Sequence, residues 1–141
     1  YKHWETNEEI INLETELKIF EEKAKNFGNF TVFAKSAGVL LALKGIKENR
    51  VHPLKCVFVG TAVYWGNNGK FKINDWLEGY SLFTLFIQKT HDPAGSFKDL
   101  SGLLASKSAS NFSLIEIPGE DHHYADIELF KKETLNFLDL S

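Results

Sequence analysis

Apolar positions along the chain recur at two alternating periods, which predicts helices and strands in turn. Over residues 7–25, Ile10, Ile11, Leu13, Leu17 and Phe20 fall at helical spacing among Glu and Lys. The spacing predicts a surface helix with one buried face, stopped at Phe27-Gly28-Asn29. Residues 30–34 are short, apolar and partly β-branched or aromatic, as a buried strand is. They run almost without a loop into residues 36–48, a stretch rich in Ala, Leu and Lys that predicts a helix. Residues 54–60, 82–88 and 114–117 predict three more strands, the first two apolar on both faces. Helical spacing returns over residues 96–105 and over 124–138, the latter through Ile127, Phe130, Leu135 and Leu138. Residues 61–80 break the alternation with Gly66, Asn67, Asn68 and Gly69 and crowd it with Tyr64, Trp65, Phe71, Trp76 and Tyr80. They predict an irregular excursion above the sheet.

Strands apolar on both faces are covered on both sides, and strands separated by helices run parallel. The order therefore predicts an open α/β fold, a parallel sheet with helices on both faces. The length of 141 residues fits one domain, and 43% hydrophobic with 25% charged residues is the balance of a chain that buries a core. A formal net charge of −3 provides no broad basic field, so nucleic acid is not an expected partner. The longest apolar runs fall far short of the ~20 residues that span a bilayer, so no membrane is expected either. The lone Cys56 sits inside an apolar run and has no second cysteine to pair with, which favours a cytoplasmic address. No methionine occurs, even at position 1, and this suggests a start downstream of the natural one.

The chemistry concentrates where predicted strands end. In Phe33-Ala34-Lys35-Ser36-Ala37-Gly38-Val39, small residues two before and two after the serine permit a tight strand-to-helix turn. Such a turn lifts the hydroxyl to the carboxyl edge of the sheet and sets the Ala37 amide at a helix N-terminus, where it can meet a developing oxyanion. The competing use of Ser36 is as a helix N-cap. The strand over residues 82–88 leads to Lys89-Thr90-His91-Asp92-Pro93 at the same edge, where Asp92 is placed for work or for a turn. The last strand leads through Pro118-Gly119 to Glu120-Asp121-His122-His123-Tyr124, whose imidazoles can exchange protons near neutral pH. His91, Asp92, Asp121, His122, His123 and Asp126 are metal-ligand types, but no helical histidine pair or cysteine pair accompanies them, so no metal is expected. No Gly-rich phosphate loop or dinucleotide fingerprint is present, so no cofactor is expected.

Serine, acid and histidine each follow a different predicted strand, in the order Ser, Asp, His. In this the chain resembles the α/β-hydrolase superfamily over nearly its whole length, with Ala34 in place of the first glycine of the nucleophile elbow. The resemblance implies a serine hydrolase, carboxylesterase-like, cleaving a small ester or thioester through an acyl-enzyme. Ser36 would be the nucleophile, His122 the base, Asp92 the orienting acid and the Ala37 amide an oxyanion donor. The Asp-His pairing of the family's loop favours His122, and His123 is the alternative base. The excursion falls where many members carry a cap, which makes Tyr64, Trp65 and Trp76 candidates for the substrate pocket. Members place further strands before the first helix seen here. The resemblance therefore implies a form truncated at the N-terminus, or one whose open sheet edge is covered by a partner or a second copy. The alternative is a non-catalytic domain of the same fold that binds a small molecule or protein.

Overall fold

A computed structural model describes residues 11–69, 71–125 and 127–139. Four strands form one sheet in the order β1-β2-β3-β4: β1 Thr31–Lys35, β2 Lys55–Val59, β3 Thr84–Lys89 and β4 Phe112–Ile117. Every neighbouring pair is parallel, with Ala34 opposite Phe58, Phe58 opposite Phe86 and Phe86 opposite Leu114. All six residues of β3 are buried, as a central strand covered on both faces requires. The protein is an α/β protein with a wholly parallel sheet, and each crossover is long enough to carry chain back over a face.

The two faces of the sheet have separate cores. Ala34, Cys56, Phe58 and Phe86 point to one. There α2 (Ala37–Lys47) buries Val39, Leu40, Leu41, Ala42 and Leu43, nearly all the way round its axis. Helix α1 (Leu13–Ala24) lies outside α2 and inserts Leu17, which is wholly buried. Gly45 allows that approach, since a β-carbon there would sit 2.8 Å from Leu17 Cδ1. Leu100 and Leu104 of α4 (Phe97–Ser106) complete this layer. Val57, Val59, Leu85 and Ile87 point to the opposite face, where α5 (Ile127–Asp139) packs Phe137 against them. The rings of Phe83 and Phe137 lie 4.6 Å apart. Each such aliphatic or aromatic burial contributes about 1.5–3 kcal/mol, so the helices are held mainly by these faces.

Element ends differ from the sequence expectation where a single cap or turn decides. Helix α1 begins at Leu13, because the Asn12 side chain accepts from the backbone N–H groups of Glu14 and Thr15, both at 3.1 Å. Residues 7–10 of the expected helix lie outside the described residues. The last helix was expected from residue 124, but Tyr124 has φ 44 and turns inward instead. Strand β4 begins two residues before the apolar run, because the exposed Ser113 interrupts the run while its pairing with Leu85 continues the ladder. The excursion over 61–80 contains a 3₁₀ turn, Val63–Asn68, and a one-turn helix, α3 Ile73–Trp76. Among the described residues no helix is long and apolar enough to cross a membrane.

Candidate active site

Three loops converge at the carboxyl edge of the sheet, and each begins where a strand ends. Ser36 follows β1 directly, with φ 54 and ψ −119, a conformation that L-residues seldom adopt. Its N–H still donates to Val59 O at 3.0 Å, so the ladder continues into the turn, and its C=O accepts from Val39 N at 3.0 Å to start α2. Buried Ala34 and Gly38 flank this turn. The Ser36 side chain makes no capping hydrogen bond to α2. Its hydroxyl is directed elsewhere.

Ser36 Oγ lies 2.8 Å from His122 Nε2, and His122 Nδ1 lies 2.8 and 2.9 Å from the two oxygens of Asp92. Hydroxyl, imidazole and carboxylate thus stand in series at hydrogen-bond distance. Asp92 is 1% exposed, and two more donors satisfy it: Ala94 N–H at 2.8 Å to Oδ1 and the Tyr124 hydroxyl at 2.6 Å to Oδ2. With Asp92 accepting at Nδ1, the neutral imidazole carries its proton there and presents a bare Nε2 to Ser36. His123 does not enter this series. Its backbone N–H donates to Asp121 Oδ1 at 2.6 Å, and its C=O accepts from Lys35 Nζ at 3.3 Å.

A second set of residues braces the histidine loop; of these, the sequence reading singles out only Asp121, and that as a metal-ligand type. Lys89, at the end of β3, pairs through Nζ with Asp121 Oδ1 at 2.8 Å, and its backbone N–H donates to Tyr124 Oη at 2.9 Å. The Lys89 ammonium holds the Asp121 carboxyl below the usual carboxylate range. Burial, and then the adjacent Asp92, push the Tyr124 phenol well above its ordinary value, so it remains a donor. Gly60, at φ 61, leaves room for both rings: a β-carbon there would lie 2.6 Å from Tyr124 Cε2 and 3.2 Å from His122 Cε1. Gln88 is wholly buried. It accepts from Thr61 N–H at 2.8 Å and donates to the carbonyls of Thr61 and Gly95, tying the turn after β2 to the turn that carries Asp92. One signal for Gln88 and Lys89 was present, two polar residues closing an otherwise apolar strand at the edge where ligands bind.

Beside Ser36 opens a cleft of about 760 Å³, walled by Phe20, Val32, Phe33, Leu41 and Ala42 with His122 and His123 at its rim. Ala37 opens α2, so its N–H has no carbonyl a turn earlier to meet and is free for an anion. The aromatic excursion corrects the expected pocket. Trp76 is 8% exposed and belongs to the core on the α2 face, with Phe71, Ile73, Leu77 and Tyr80. Tyr64 and Trp65 are exposed and do not line the cleft beside Ser36. The Tyr64 hydroxyl donates to Asp99 at 2.5 Å and the Trp65 ring packs on Phe71 at 5.5 Å. The aromatics sought apolar cover, and α2 supplied it. Among the described residues no group of three His, Cys, Asp or Glu gathers to hold a metal ion, and Asp126 lies outside them. Comparison of the chain with models of known protein families, with curated proteins and with solved structures found no match.

Proposed function

We propose that the protein is a serine hydrolase of the α/β-hydrolase type, acting on a small carboxylic ester or thioester. The observation that carries the reading is the series Ser36, His122, Asp92 hung on a strained turn at φ 54. A serine hydroxyl is protonated at neutral pH, so it attacks only when a base takes its proton during attack. His122 Nε2 takes that proton while Ser36 Oγ bonds to the acyl carbon. The carbonyl oxygen becomes an oxyanion and meets the Ala37 N–H. His122 then returns the proton to the leaving alcohol or thiol, which departs and leaves an acyl-serine. Water repeats the sequence with His122 again as base, releasing the acid and restoring Ser36. Asp92 holds the Nδ1 proton throughout and stabilises the transient imidazolium.

The single buried thiol, Cys56, supports a cytoplasmic setting. Turnover of a series of p-nitrophenyl esters tests the reading. His122→Ala should lower kcat by roughly three orders of magnitude or more, while His123→Ala should cost little. Equal losses in the two variants, or turnover indifferent to both, would remove the assignment of the base.

A further inference from the structure

We propose that Tyr124 is a positioning residue that sets the charge and orientation of the Asp92 carboxylate, and through it the readiness of His122 to take a proton. Its catalytic meaning rests on the hydrolase reading; the hydrogen bonds themselves do not. Asp92 is 1% exposed, so protein donors must replace the water its carboxylate has lost. Apart from His122, those donors are Ala94 N–H and the Tyr124 hydroxyl.

The phenol is held from both sides. Its oxygen accepts the backbone N–H of Lys89 at 2.9 Å, which leaves its own proton directed at Asp92 Oδ2, 2.6 Å away. The ring is clamped as well. It lies against the absent side chain of Gly60, 5.9 Å from the Phe130 ring, and under the ammonium groups of Lys89 at 5.0 Å and Lys35 at 5.8 Å. To reach this place Tyr124 adopts φ 44, which for a bulky residue persists only where the surroundings determine it. Strain, a matching glycine and a backbone donor from β3 all converge on one outcome, an O–H delivered to Asp92 Oδ2.

The chemical consequence follows from charge. A hydroxyl donating to the carboxylate draws off part of its negative charge, so the carboxylate holds the His122 proton less tightly. Without it the Asp92–His122 pair would bind a proton more firmly and release it less readily. The other charged groups around the pair are Lys89 of β3, Lys35 of β1 and Asp121, with His123 on the same loop.

Titration of the His122 ring by NMR in the full chain reads this directly and needs no substrate. In Tyr124→Phe, which keeps the ring and loses the O–H, the pH midpoint of His122 protonation should rise by about half to one unit. Labelling of Ser36 by a fluorophosphonate at neutral pH should slow about tenfold. Replacing Tyr124 with 3-fluorotyrosine keeps the ring and acidifies the phenol, which strengthens the donor, and should move the midpoint downward. A midpoint unmoved in both proteins, or moved in the same direction, makes the phenol mere packing and overturns the proposal. Opposite shifts in the two substituted proteins, together with a wild-type chain that fails to label, would uphold the role of Tyr124 and remove the hydrolase reading alone.

Discussion

Ser36 holds φ 54 and ψ −119 although serine gains nothing locally from that conformation, so its neighbours impose it. The cost is on the order of 1 kcal/mol or more, and glycine would not bear it. Ser36→Gly should therefore be more stable than Ser36→Ala by about 1 kcal/mol in thermal or denaturant unfolding, since both lose the hydroxyl and only one relieves the backbone. Equal stabilities would show that the turn is unstrained. The three members of the series were legible as residues, because serine, aspartate and histidine each follow an apolar run. The flanking Ala34 and Gly38 showed that the turn was permitted. Tyr124 was not legible. Its role depends on a positive φ and on the space left by Gly60, sixty-four positions earlier, and neither leaves a local pattern.

The elements that carry the series differ in how they are held. Ser36 sits between a strand and a buried helix, whereas His122 rides on a loop that needs a brace. Lys89 and Asp121 provide one, and Asp121 Oδ1 also accepts the His123 N–H. The ammonium lowers the Asp121 carboxyl from its ordinary value of 3.8, so this contribution is fully present above that pH and fades as pH falls through the lowered value. The His123 amide resonance should titrate with Asp121, with a midpoint below 3.8, and Asp121→Asn should abolish that titration. A wild-type midpoint at or above 3.8 would show that the brace is absent in solution. Element existence was legible from period, while element ends were not. Asn12 shortens α1 by accepting two N–H groups, and the inward turn at Tyr124 delays α5.

At the scale of the molecule, the parallel sheet was legible because β2 and β3 are apolar on both faces, which leaves covering helices as the only arrangement. The packing of the excursion is not legible in the sequence, because aromatic residues signal burial without saying against what. Trp76 and Tyr80 found the face of α2, not the mouth of the site. Among the described residues the same sheet leaves β1 at an edge, with Phe33 59% exposed close in sequence to Ser36. Whatever covers that edge, the central claim concerns a hydroxyl made nucleophilic by His122 and Asp92. The measurement that tests it most directly is reaction of the full chain with a fluorophosphonate, followed by mass spectrometric mapping of the adduct. One adduct per chain is expected, on Ser36, lost in Ser36→Ala and strongly slowed in His122→Ala and Asp92→Asn. An adduct on another residue, or none while the Ser36–His122 hydrogen bond is intact by NMR, would contradict it.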